Sequence, residues 1–231
     1  MSDSAQYLGW RVEQSLAAGT ISKNAGHAIR ASSRPPSGRR ARTRRTLQIS
    51  ALIVAFLQCR PVLTSELAPA KQAIFLARVI AYDANLKKRV GQTVNIAVLA
   101  RKGDRDSEKM AGLLEKAFIP LERSTILGLP MRISRLDYVG RESLDRAVRE
   151  GGIDTIYVCS GLNASLADIK SVARARKVLT MASQEAHLKL GLSIGVFDIQ
   201  GRNTIIVNLE ANREEGVAFP PELLRLATVV R

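Results

Sequence analysis

This chain of 231 residues is poor in the side chains that most chemistry needs: two cysteines, two histidines, one tryptophan, and aromatics at only 4%. With no C-x-x-C, no H-E-x-x-H and no spaced histidine pair, no metal site and no cofactor are expected. There is no G-x-G-x-x-G and no P-loop, so the glycines that cradle phosphates are missing. Aromatics are too few to build a stacking platform for single-stranded nucleic acid. The cysteines are Cys59 and Cys159. If the first is removed with an export signal, no intramolecular disulfide remains, and Cys159 reads as a small buried hydrophobe in a strand.

Positive charge is plentiful, but unevenly placed. The formal net charge is +14. Residues 1–50 hold nine basic and two acidic side chains, half of that excess, and residues 66–231 carry only +6. The front also has the order of an export signal. Gly38 to Arg45 (GRRARTRR) is densely basic, Leu47 to Leu57 (LQISALIVAFL) is an apolar run of eleven, and Pro61 breaks it. That core is too short to span a bilayer comfortably. Cleavage is expected after Ser65 or Ala70, each a small residue. Thr43-Arg44-Arg45-Thr46-Leu47 matches a twin-arginine signal in part, and general secretion is preferred. Residues 1–37 are left as an unassigned extension, 38–65 as the signal and 66–231 as one domain.

The domain alternates helix and strand, which predicts parallel strands joined by crossover helices. An apolar helix is expected over Ala70–Leu86, and a strand over Thr93–Ala100. A helix over Asp106–Phe118 is capped by Asp106 or Ser107, and a strand follows at Met131–Tyr138. A helix over Arg141–Glu150 is stopped by Gly151-Gly152. Further on come a strand at Thr155–Cys159, a helix at Ala164–Arg174 capped by Asn163, a strand at Val178–Ala182 and a short helix at Gln184–Leu190. Ser193–Ile199 and Thr204–Val207 form a hairpin around Gln200-Gly201-Arg202-Asn203. Leu209 to Glu215 is a charged helical turn, and Pro220-Pro221 open a last helix whose core face is Leu223, Leu224, Leu226, Ala227 and Val230. The expected fold is α/β: a three-layer sandwich with a mixed, mostly parallel sheet, a late β-hairpin and a closing C-terminal helix.

Several of these stretches together resemble the YfiR-like (HmsC-like) family of periplasmic proteins. The signature runs Val207-Asn208-Leu209-Glu210-Ala211-Asn212, then Gly216, then Leu223-Leu224-Arg225-Leu226-Ala227. The middle adds Asn95-Ile96-Ala97-Val98-Leu99, Thr155-Ile156-Tyr157-Val158-Cys159-Ser160 and Lys177-Val178-Leu179-Thr180-Met181. The chain departs from the family in its first helix, which lacks Trp and Pro, in Ala218-Phe219-Pro220-Pro221, and in having no cysteine pair. The resemblance implies a non-catalytic regulator in the periplasm. Such proteins restrain a membrane signalling protein, a diguanylate cyclase, and so tune cyclic di-GMP and biofilm output. A homodimer stays open. Asn208, Leu209, Glu210, Gly216, Leu223, Leu224 and Leu226 read as a structural joint rather than a site.

Few residues suggest chemistry of their own. Gly191-Leu192-Ser193-Ile194-Gly195 matches a G-x-S-x-G elbow, but a helix precedes the serine and a strand follows, the reverse of that motif. His187 precedes Ser193 and reads as a surface or half-buried helical residue. The turn Ser160-Gly161-Leu162-Asn163 joins a strand to a helix N-terminus, where exposed N–H groups attract anions, and Arg101 after the first strand adds charge. Ser160, Gly161, Asn163 and Arg101 are therefore the candidate ligand residues of an alternative reading, a periplasmic binder of a small anion. Lys87-Lys88-Arg89 reads as a solvated face that also suits an acidic partner or anionic lipid headgroups. An intracellular nucleic-acid binder is the remaining alternative; it needs residues 38–45 to persist, and no nucleic-acid partner is expected.

Overall fold

The computed structural model describes residues 64, 65 and 67–230; the residues 1–37 extension and the basic and apolar runs of the signal lie outside the described residues. The sheet grows from β2 (Val94–Arg101), whose eight residues are buried except for Asn95 and its polar end Arg101. Ile96, Val98 and Ala100 face one core while Ala97 and Leu99 face the other. This two-sided burial is the mark of a strand covered by helices on both faces. Each fully buried Ile or Leu contributes roughly 1.5–3 kcal/mol.

The strand order is β3-β4-β2-β5-β6-β7-β8-β9. β4 (Leu129–Tyr138), β5 (Thr155–Val158), β6 (Leu179–Ala182) and β7 (Ile194–Ile199) all run parallel to β2. β8 (Arg202–Asn208) turns back antiparallel to β7, and β9 (Ala227–Val230) lies parallel to β8. A two-residue strand, β1 (Thr64–Ser65), pairs antiparallel with the end of β7 beyond the reach of β6.

Helices cover both faces. On one lie α1 (Pro69–Ala81) and α3 (Arg105–Phe118), which bury Leu76, Ile80, Leu114 and Phe118. On the other lie α4 (Arg141–Gly151) and α5 (Leu166–Arg176), which bury Leu144, Val148 and Ile169. The three-layer, mostly parallel architecture with a late hairpin is thus as expected. Gly152 in the left-handed conformation ends α4, as the sequence suggests.

The ends of elements differ from expectation. The chain does not close on a helix: α8 (Pro221–Leu226) is short and β9 follows it as an edge strand. Leu223 is buried, but Leu226 is 74% exposed, because strand pairing with β8 replaces the expected helical core face beyond Ala227. The hairpin turn is tighter than expected, only Gln200 and Gly201, both at positive φ, the geometry of a primed turn that matches strand twist. Asp104, just ahead of the expected Asp106 or Ser107, caps α3: its Oδ1 accepts from the N–H groups of those two residues. A 3-10 turn (Ile119–Arg123) and the short β3 (Thr125–Ile126) precede β4 and were not legible as elements.

The largest correction concerns Arg89. The expected long first helix breaks after Ala81, and α2 (Leu86–Arg89) restarts it. Asp83, in the break, is fully buried. Its Oδ2 accepts from Arg89 Nε at 3.0 Å and Nη2 at 2.7 Å. Arg89 Nη1 donates to the carbonyls of Lys177 at 2.9 Å and Asp154 at 3.3 Å, just ahead of β6 and β5. Only Lys87 and Lys88 are solvated; the Arg89 side chain is 7% exposed.

Removing one partner of a buried ion pair leaves the other charge uncompensated, which costs about 3–5 kcal/mol. Arg89→Met is expected to lower the unfolding free energy by about that much. Asp83→Asn combined with Arg89→Met is expected to lose less than the two single changes summed. Urea unfolding checks both, and an Arg89→Met loss below about 1 kcal/mol would place this pair among solvated ones.

Candidate functional site

In an open parallel sheet, ligands sit beyond the strand C-termini where neighbouring crossovers diverge to opposite faces. Here that point lies between β2, followed by α3 on one face, and β5, followed by α5 on the other. The structure brings the expected residues to this end. Arg101 Nη1 donates to the carbonyl of Gly161 at 3.0 Å. Gly161 has φ +81, and a Cβ there would lie 2.5 Å from Asp104 Oδ2, so only glycine fits. Ser160 is half-buried beside it.

The chain's own groups already hold these residues. The Asp104 carboxylate sits at the N-terminus of α3, and Glu108 Oε1 accepts from Gly103 N–H at 2.9 Å. Negative charge thus stands where a ligand anion would approach. Asn163 is not the cap of α5. It opens a 3-10 turn (Asn163–Ser165), and its Oδ1 lies 2.7 Å from His187 Nε2. His187, on α6 (Glu185–Lys189), is fully buried rather than at the surface. Burial lowers its pKa, so the ring is neutral with Nε2–H donating to Asn163.

Ser193 lies at the start of β7, where its hydroxyl donates to Glu215 Oε2 and is far from acting as a histidine-activated nucleophile, since His187 is engaged with Asn163. Glu215 also accepts from Thr180 N–H at 2.8 Å and Thr180 Oγ1 at 2.6 Å. Ser193 N–H in turn donates to Thr180 Oγ1 at 3.0 Å. Burial pushes the Glu215 carboxyl up to about 7, against the opposing pull of these donors and of the Arg174 charge. Sequence reasoning missed Glu215, which reads as the end of a charged turn. The only signals were the hydroxyls of Thr180 and Ser193 among apolar strand residues.

The signature residues gather around this cluster. Asn208 Oδ1 accepts from Ala211 N–H at 3.1 Å and so caps α7 (Leu209–Glu214), while its Nδ2 donates to the Leu188 carbonyl at 3.1 Å. Gly216 has φ +74, and its carbonyl accepts from Asn85 Nδ2. Leu209 is half-buried and Glu210 exposed.

At the opposite end of the sheet is a cleft of about 480 Å³ lined in part by Asn95, Arg149, Asp154, Arg176 and Lys177. Its cations are engaged: Arg176 pairs with Asp145 at 2.7 Å, and Lys177 Nζ donates to the Glu214 carbonyl at 2.8 Å. Burial pushes Asp154 up to about 6, opposed by the Asn95 N–H and the Arg89 charge. No group of three or more His, Cys, Asp or Glu among the described residues is arranged to hold a metal ion.

A family model described as YfiR/HmsC-like matches residues 70–228. Among solved structures, a conserved domain protein from Vibrio cholerae is similar at 15% identity and a TM-score of 0.52, covering 72% of this chain and 62% of that one. An ABC domain in complex with L-Trp from Streptococcus pneumonia is similar at 14% identity and a TM-score of 0.50, covering 71% and 60%. At this identity the likeness is one of fold, and the chain spans about three fifths of the length of each structure. A search of the curated proteins finds no match.

Glu215 gives a pH dependence with a defined sign. Its folded pKa lies above its unfolded value, so its stabilising share is complete below about pH 4.5 and is lost as pH rises through about 7. The expected total is about 3 kcal/mol. Glu215→Gln, which keeps the shape, is expected to flatten this decline, leaving the smaller one from Asp154, lost between about pH 4 and pH 6, and the opposing rise from His187, whose lowered pKa makes stability grow with pH. Urea unfolding across pH 4.5 to 8 measures it, and identical slopes in both proteins would contradict the assignment.

Proposed function

The chain belongs to the YfiR/HmsC-like family, and on that premise we propose that it is an exported regulatory protein that works by binding a membrane signalling protein. The observation that carries this reading is the extent of the family match: residues 70–228 take in nearly every described element from α1 to β9. The partner it points to is a diguanylate cyclase with a periplasmic sensor region, whose restraint lowers cyclic di-GMP and biofilm formation. The reading is non-catalytic: the serine, histidine and buried glutamate of a type that carries chemistry are spent on holding β6, β7, α6 and the segment after β8 together.

The solute-binding alternative would place an anion between Arg101 and the Ser160–Asn163 turn. Arg101 favours it, but Asp104 already supplies the negative charge that this corner attracts. A surface that meets another protein fits the structure better.

Affinity capture of the native protein from detergent-solubilised membranes is expected to bring down an inner-membrane protein with a periplasmic segment. Deletion of the gene is expected to raise cellular cyclic di-GMP severalfold. A clean capture together with unchanged cyclic di-GMP would sink the proposal.

A further inference from the structure

The basic stretch after the first helix is not absorbed by the function above, and the structure reorganises it. Arg89 is withdrawn into the core, but Lys87 and Lys88 remain exposed. On α1, the side opposite its buried residues Leu76, Val79 and Ile80 presents Lys71, Ile74, Arg78 and Tyr82. These positions are spaced three and four apart and fall within about a quarter of the helix circumference. Ile74 is 40% exposed and Tyr82 45% exposed, both high for residues of their type. Among the described residues, none of Lys71, Arg78, Lys87 and Lys88 is in an ion pair. The one carboxylate of α1, α2 and their joint, Asp83, is buried against Arg89. The outer side of α1 is therefore a cationic stripe with an aliphatic and a phenolic side chain set into it, and Lys87 and Lys88 add exposed charge on α2 just beyond its end.

We infer that this stripe is a docking surface for an anionic phospholipid bilayer. Charge complementarity selects that occupant. Three of the four cations are lysines, compact point charges on long flexible stems, which suit mobile headgroups better than the fixed forks of an acidic protein. Tyr82 belongs to a residue type favoured at the membrane–water boundary, and Ile74 adds shallow apolar contact. The helix lies flat on the surface, because its other side is the core of the domain. No described helix is long and apolar enough to cross a membrane, so the contact is peripheral, reversible and salt-sensitive. It would concentrate the protein on the membrane whether or not the signalling partner proposed above exists.

The test is co-sedimentation of the full chain, as processed by its host, with phosphatidylcholine vesicles made with and without phosphatidylglycerol. Apolar binding by any retained leader contributes to both vesicle types and is subtracted by the second, and binding by its basic residues 38–45 is common to all variants and is removed by comparing them. Binding that depends on phosphatidylglycerol is expected to fall about fivefold for each cation removed in Lys71→Gln, Arg78→Gln, Lys87→Gln and Lys88→Gln. It is expected to persist when Arg132, Arg141, Arg146 and Arg202, exposed cations elsewhere, are changed to Gln together. Thermal melts confirm that both sets fold. Equal binding to the two vesicle types, no binding, or equal losses in the two sets would overturn the inference. So would a stripe variant that keeps its vesicle binding but no longer captures the membrane protein, which would make the stripe a protein contact.

Discussion

The buried Asp83–Arg89 pair holds four separated parts of the chain at one point. One Asp83 oxygen accepts from Asn85 N–H at 2.9 Å and Ala218 N–H at 3.0 Å, and the other takes the fork of Arg89. Arg89 passes the constraint on to the backbone ahead of β5 and β6. Ala84 N–H adds a bond to the Ala218 carbonyl at 2.8 Å. The first helices, the parallel core and the C-terminal segment therefore meet through one buried pair. Glu215 repeats the arrangement a few residues before Ala218, reaching β6 and β7 through Thr180 and Ser193. A buried carboxylate is tolerated only where donors surround it, and both sites provide them. The segment after β8 is thus locked to the sheet by polar groups as well as by Val217 and Leu223.

This explains the character of the signature. Asn208 caps α7, Gly216 turns the chain in a left-handed conformation, and the stretch between them delivers Glu215 and Ala218 to their partners. Such spacing is fixed by architecture, so it identifies the fold better than it identifies a surface. At the end of the sheet where ligands usually bind, the polar groups are likewise engaged within the chain: Arg101 bonds the Gly161 carbonyl, Asp104 caps α3, and Asn163 meets His187. What remains to meet a partner is the outward side of the helices, where side chains are not committed to the core.

Much of the fold was legible from local pattern. β2, β5 and β6 show as apolar runs, and Gly151-Gly152 marks the end of α4. Arg101, Ser160 and Gly161 were placed together because βα turns of neighbouring parallel strands converge. The failures have a common physical origin. Leu226 and Val230 fit a helical stripe as well as a strand, and only pairing with β8, distant in sequence, decides between them. Arg89 and Glu215 carry charge, and charge is normally solvated. Glu215 is buried by partners at Thr180 and Ser193, and Arg89, though Asp83 is near in sequence, by the carbonyls of Asp154 and Lys177, which no local window contains. His187 is buried for the same reason, through Asn163.

The central claim is that the C-terminal segment is part of the cooperative core, fastened by the two buried carboxylates. Native-state hydrogen exchange at two amides tests it directly: Thr180, which donates to Glu215, and Ala218, which donates to Asp83. Both are expected to exchange only through global unfolding, with opening free energies equal to the stability measured by urea. If Ala218 exchanges through a local opening of residues 209–230, well below that value while Thr180 stays protected, the segment is a detachable flap and the account is wrong.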